Sequence, residues 1–469
     1  MMRDKKVIND VVVVLPGIMG STLSKSGELV WAPSRSSVIT AISTFGRSIK
    51  EMRLPQGIGD NHPDDGVEPV ALMPDLHILP GIWNPQIGYD ELLKSLHNRF
   101  HFIERSAEKP HLIPNLLPVA YDWRLSNRFN GRRLKSIVEP ALERWRAKGG
   151  RFADAKLIFI CHSMGGLVAR WYIEKEGGAA ITRKLVTLGT PYRGALDALD
   201  KLVNGVKKGI GPLGIDLTLF AQSLPSLYQL IPEYACIESE NKLLKTTETA
   251  IPGLQTEMIA DAMRFHNDID AAAATQHATA FDIHPIVGTR QMTSTTARIS
   301  GNTVEPIEKI FGEEEGGDAT VPRLSAIPKG VLMDSPIIHF IAEQHGSLQC
   351  NQAVLDGIEG ILSGKPTVYR ASARIELGIK IEPVVLVGER ILVEATVAGG
   401  ERVALQARVI NEKNVMVTSQ LRVSNGIHRV MLSPLPPGAY RILVGGVGSM
   451  AAVVTPVTST VLVWGGEMS

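Results

Sequence analysis

The chain has 469 residues, with 44% apolar and 21% charged residues, which is globular composition at a length that calls for two cores or one core with large insertions. Its 49 basic and 48 acidic side chains leave a net charge of +1, so no overall field draws it to nucleic acid. Three cysteines (Cys161, Cys236 and Cys350) cannot complete a disulfide set and are read as reduced. Met1–Asp10 carries acids and bases and lacks the apolar run and cleavage site of a secretory signal, so the expectation is a cytoplasmic chain.

Taken in order, Val11–Leu15 reads as a buried parallel strand running into a Pro16-Gly17 turn. Residues 24–85, rich in Gly, Pro and Ser with Trp31, Met73 and Trp83 scattered through them, interrupt the strand–helix alternation. Asp90–Phe100 has apolar residues at Leu92, Leu93 and Leu96 and predicts a helix, Leu117–Ala120 a strand, and Arg132–Lys148 a helix with its stripe at Leu134, Ile137, Val138, Leu142 and Trp145. Leu157–Cys161, Leu185–Leu188, Ile283–Gly288 and Gly330–Met333 are the further parallel-strand candidates. Residues 192–280 read as mostly helical, including Leu213–Leu230, and Leu348–Leu362 closes this unit as a helix. The alternation implies an α/β class with a parallel sheet covered on both faces. Long connections in a compact domain are usually functional, so 24–85 and 192–280 are expected to form a cap or lid.

After Lys365-Pro-Thr the pattern changes to short Val- and Ile-rich runs separated by turn residues: Ile379–Val387, Ile391–Val397, Val403–Ile410, Val415–Ser419, Arg429–Leu432 and Tyr440–Val444. This spacing predicts a second, all-β domain over 368–469, a sandwich of immunoglobulin-like kind, behind a first domain over 1–365. Ile442–Gly466 carries no charge and is long enough to span a bilayer, but its Val, Thr, Gly and Pro456 predict two strands instead. The expected role of this domain is packing or binding an unknown protein partner.

Lys156-Leu-Ile-Phe-Ile-Cys-His-Ser-Met-Gly-Gly-Leu-Val-Ala-Arg170 is the most informative segment. A strand ends at Ser163, and glycines and helix formers follow, the layout of a nucleophile elbow. Gly165 leaves room where strand and helix pass; Cys161 stands where Gly-x-Ser-x-Gly has its first glycine, and is small enough to fit. A serine hydroxyl needs a base. His345 is the candidate, in a loop before the final helix; His339 lies in an apolar run and His162 beside the nucleophile points elsewhere. Asp318 precedes His345 by 27 residues and would fix its tautomer, although Gly-Gly-Asp is also good turn chemistry. Asp282 and Asp334 are weaker rivals. Ser…Asp…His is the chain order of α/β-hydrolase triads.

Leu-Pro-Gly-Ile-Met-Gly-Ser at 15–21, Tyr-Asp-Trp-Arg at 121–124, His-Ser-Met-Gly-Gly at 162–166, Leu-Gly-Thr-Pro at 188–191 and Gly-Gly-Asp-Ala-Thr-Val-Pro at 316–322 together resemble the lecithin:cholesterol acyltransferase family of lipases and acyltransferases, over roughly residues 7–362. Ala319 stands where that family's acid motif has a second glycine. The resemblance implies an α/β-hydrolase fold and a lipid ester, phospholipid or acylglycerol, as substrate, with transient contact to a membrane surface. It also implies oxyanion donors at the backbone N–H of Ile18, alongside that of Met164, the residue after the nucleophile. Asp122 and Arg124 are expected to pair near the pocket wall, with Tyr121 and Trp123 as candidates for contact with an acyl chain. No phosphate loop, His-Glu-x-x-His or Cys-x-x-Cys pattern occurs, so neither cofactor nor metal is expected. The rival readings are a carboxylesterase for small esters and a non-catalytic adaptor built on the same scaffold.

Overall fold

A computed structural model describes residues 5–32, 52–74, 87–103, 111–208, 215–275, 280–364, 374–400, 403–411 and 415–464. Trp83, much of the 24–85 stretch, Leu213 and the Lys365-Pro-Thr junction lie outside the described residues. Six parallel strands form the central sheet: β1 (Val11–Leu15), β2 (Leu116–Pro118), β3 (Leu157–His162), β4 (Thr182–Leu188), β5 (Asp282–Thr289) and β6 (His339–Ala342), in the order β6-β5-β4-β3-β1-β2. Every residue of β1 and β3 is buried, as expected of unbroken apolar strands with a layer on each face.

The described helices of ten residues or more are α1 (Asp90–Arg99), α2 (Asn127–Arg146), α3 (Gly165–Lys175), α4 (Thr256–Thr275) and α5 (Gln352–Ser363). Helix α2 starts before the expected Arg132 because the Ser126 side chain accepts a hydrogen bond from Phe129 N–H at 3.0 Å and caps it. Asn351 caps α5 in the same way, after a short 3₁₀ turn from His345 to Cys350.

Two expectations are corrected. Gly330–Met333 is not a strand: Gly330 has φ +84° and Leu332 is exposed, while the strand beside β5 is His339–Ala342, in register with Ile286–Thr289. Residues 192–280 are less helical than expected. Thr218–Ala221 and Pro225–Tyr228 are single turns, and Ile237–Ser239 and Lys242–Leu244 join Thr296–Ser300 and Thr303–Ile307 in a four-stranded sheet. Near the other stretch, Ser21–Lys25, Glu28–Trp31 and Val67–Leu72 make a three-stranded sheet. None of the described helices is long and apolar enough to cross a membrane.

The C-terminal residues form two further sheets. One holds β7 (Leu377–Ile381), β9 (Ile391–Val397), β12 (Arg422–Ser424) and β13 (Ile427–Leu432); the other holds β8 (Val384–Leu386), β10 (Leu405–Ile410), β11 (Val415–Gln420), β14 (Gly438–Gly446) and β15 (Val457–Trp464). Both contribute to one apolar core, which includes Val393, Ala407, Ile442 and Val461 and is separate from the core around the central sheet. The uncharged stretch from Ile442 is thus β14 and β15, paired antiparallel.

Candidate active site

The chain turns from β3 into α3 at Ser163, whose φ of +51° lies in the left-handed region that side chains seldom occupy. The Ser163 N–H donates to the Leu188 carbonyl at 2.9 Å, and Thr190 Oγ1 donates to the Ser163 carbonyl at 2.9 Å, so both its peptide groups are held by the end of β4. Gly165 is required here: a Cβ on it would strike the carbonyl oxygen of Pro16. Cys161 is fully buried, and burial pushes its thiol well up, so it stays neutral and serves as filling.

Ser163, His345 and Asp318 converge. The Ser163 hydroxyl lies 2.8 Å from His345 Nε2, and His345 Nδ1–H donates to Asp318 Oδ2 at 2.7 Å. The three are 4%, 4% and 0% exposed, so water competes little for these bonds. The other Asp318 oxygen accepts the N–H groups of Thr320 at 3.0 Å and Val321 at 2.7 Å. The Asp318 carbonyl also accepts His345 N–H at 2.8 Å. Ala319, at φ +74°, takes the left-handed turn its motif needs without glycine, and its N–H is held by Thr293 Oγ1 at 2.9 Å. Asp282 and His339 lie on β5 and β6, and Asp334 in the turn before β6.

The Pro16–Gly20 loop leans against Ser163, close enough that a Cβ on Gly17 would sit 2.9 Å from Ser163 Cβ. The left-handed residue in this loop is Met19, at φ +62°, rather than either glycine. The N–H groups of Ile18 and Met164 are buried and find no acceptor among the described residues. Buried N–H groups are seldom left so.

Tyr89, which the sequence did not single out, and His162, which it set aside as a base, complete the surroundings. Gly17 N–H donates to the Tyr89 hydroxyl at 2.8 Å, and that hydroxyl lies 2.9 Å from His162 Nδ1. His162 Nε2 is 3.0 Å from the His345 carbonyl, which can only accept, so Nε2 carries the proton and Nδ1 receives the Tyr89 O–H. Burial, helped by the neighbouring His345, pulls His162 down to about 3, so it stays neutral. His162 therefore links the Pro16–Gly20 loop to the His345 backbone.

Tyr121 and Trp123 are 2% and 0% exposed. Tyr121 donates its hydroxyl to the Pro16 carbonyl at 2.8 Å, and Trp123 Nε1 donates to the Ser21 carbonyl at 3.3 Å while packing edge-on against Trp31. They brace the loop from below. In the same Tyr121–Arg124 stretch, Asp122 and Arg124 pair at 2.7 Å, with Asp65 as second acceptor for the guanidinium. No group of His, Cys, Asp and Glu among the described residues could hold a metal ion.

A parallel sheet carrying a strained serine at a strand–helix turn, with histidine and aspartate on later loops, is the arrangement of the α/β-hydrolase fold. The family model described as lecithin:cholesterol acyltransferase matches residues 113–302. Among solved structures, the mature form of Bacillus licheniformis lipase BlEst2 is similar at 12% identity, covering 77% of this chain and 94% of that one with a TM-score of 0.35. Its propeptide form is similar at 10% identity, covering 98% and 94%, with a TM-score of 0.37. No curated protein matches the chain.

Proposed function

We propose that this chain is a serine acyl-ester hydrolase or acyltransferase acting on lipid esters, phospholipid or acylglycerol. The reading is carried by the unbroken hydrogen-bond path from the Ser163 hydroxyl through His345 to Asp318. Ser163 attacks the ester carbonyl as its proton passes to His345 Nε2. Asp318 stabilises the imidazolium, and the N–H groups of Ile18 and Met164 take the charge on the former carbonyl oxygen. Collapse of that intermediate expels the alcohol, which leaves with the proton from His345, and an acyl-serine remains. Water or a second alcohol, deprotonated by the same histidine, then removes the acyl group. The lipid class is supported by the family match.

The chemistry is assigned to a first domain over 1–365, capped by parts of 24–85 and 192–280, and 368–469 is read as an immunoglobulin-like sandwich.

A phosphonate probe labels the native chain and not Ser163→Ala if the reading is right. Product analysis with vesicles of phosphatidylcholine and acylglycerol, beside short-chain esters, separates the lipid enzyme from a small-ester carboxylesterase. Preference for the short chains would favour the latter. No labelling, with His345 intact, would favour the adaptor.

A further inference from the structure

We propose that the C-terminal sheets act as a positioning clamp on the two loops that carry His345 and Asp318. The inference rests on the triad reading given above. One residue of β15 grips the histidine loop through both of its peptide groups: Thr458 N–H donates to Glu343 Oε1 at 2.9 Å, and the Thr458 carbonyl accepts the Ser347 hydroxyl at 3.0 Å. Glu343 and Ser347 stand two residues before and two after His345, and each is only 1% exposed. Glu343 also accepts Gln344 N–H and Asn351 Nδ2, both at 2.9 Å, so a single carboxylate draws together the loop, the start of α5 and β15.

The acid loop is held likewise. Gln291 exchanges two backbone hydrogen bonds with Gly317, the residue before Asp318, at 3.0 and 3.1 Å. Its side-chain amide then donates to the Leu377 carbonyl at 3.1 Å and accepts Ile379 N–H at 3.0 Å, taking the place of a neighbouring strand against β7. The acid loop is thus braced on β7 and the histidine loop on β15, one strand from each C-terminal sheet.

Packing cannot do this work alone. A cavity of about 190 Å³ lies between the loops and the C-terminal sheets, bordered by Asp318, Thr320 and His345 on one side and Ile381, Pro383 and Thr460 on the other. On the side facing this cleft the loops lack packed neighbours, and directed hydrogen bonds help to fix the geometry. Elsewhere the sheets are anchored by the ion pairs Arg290–Glu376 at 2.7 Å and Arg441–Glu91 at 3.2 Å, so cutting one grip at the loop leaves them docked.

The test uses the full chain and compares Glu343→Ala, Glu343→Gln and Ser347→Ala for kcat, KM and melting temperature on one ester. A triad displaced by an ångström loses about a hundred-fold in rate. The expectation is a fall in kcat of that order for Glu343→Ala with KM within about two-fold, a smaller fall for Ser347→Ala, and substantial recovery in Glu343→Gln, which keeps an oxygen for Thr458 N–H. Because both side chains hold the same residue, Thr458, the double variant should lose less than the product of the single losses. Unchanged kcat in Glu343→Ala and Ser347→Ala would overturn the clamp. So would losses that follow melting temperature alone and are no better in Glu343→Gln. A native chain that turns over no ester would instead sink the triad reading, which separates the two failures.

Discussion

The two sides of the candidate site are built by different means. Around Ser163 the geometry is local: a strand, a left-handed residue and small neighbours within a few positions bring the hydroxyl to the sheet edge. Around His345 and Asp318 nothing local suffices, since their loops are held by Gln291, Glu343 and a strand more than a hundred residues further along. A nucleophile can be encoded in a short phrase of sequence, whereas its base and acid are placed by the whole fold. The two sides should therefore fail differently when altered.

The largest expected effect is at the local side. Ser163→Ala should lower turnover by about a million-fold, and adding His345→Ala should cost little more, because the two act as one unit. Steady-state kinetics on any accepted ester check this; additive losses would separate the two residues. Asp318→Asn should cost about ten-thousand-fold with the secondary structure unchanged by circular dichroism, because the amide favours the wrong tautomer of His345.

Smaller effects probe the links between the two sides. Tyr89→Phe leaves the Gly17 N–H buried without its acceptor, so a stability loss of about 1–3 kcal/mol is expected in denaturant unfolding. Glu343 tests the distant side through pH. Its burial raises the carboxyl from 4.5 to about 7. The folded chain thus holds a proton that the unfolded chain has released. The stability this confers is complete below about pH 4.5 and is lost as pH rises through about 7. The melting temperature of Glu343→Gln relative to the native chain should climb across that window and level off above it. A constant difference would place Glu343 in a solvated setting.

What could be read from sequence follows the same division. Val11–Leu15 and the run ending at Cys161 are unbroken apolar strands, and the Leu92–Leu96 spacing has a helical period, so each carries its signal within itself. His339–Ala342 does not: as a strand it is defined by its pairing with Ile286–Thr289, and the nearby Gly330–Met333 run looks equally strand-like until its exposed turn is seen. Asp318 could be read either as a turn residue or as the partner of a histidine. One oxygen tethers the turn and the other meets His345, so both readings describe the same carboxylate. Tyr89, Glu343 and Thr458 gave no signal, because their importance lies in partners that no short window contains.

The left-handed backbone at position 163 bears on how such a chain can be made hardier. A serine held there costs about 1–3 kcal/mol that glycine would not incur. Ser163→Gly should accordingly melt above the native chain while losing its chemistry, so screening for heat resistance without a selection for turnover would favour discarding the nucleophile.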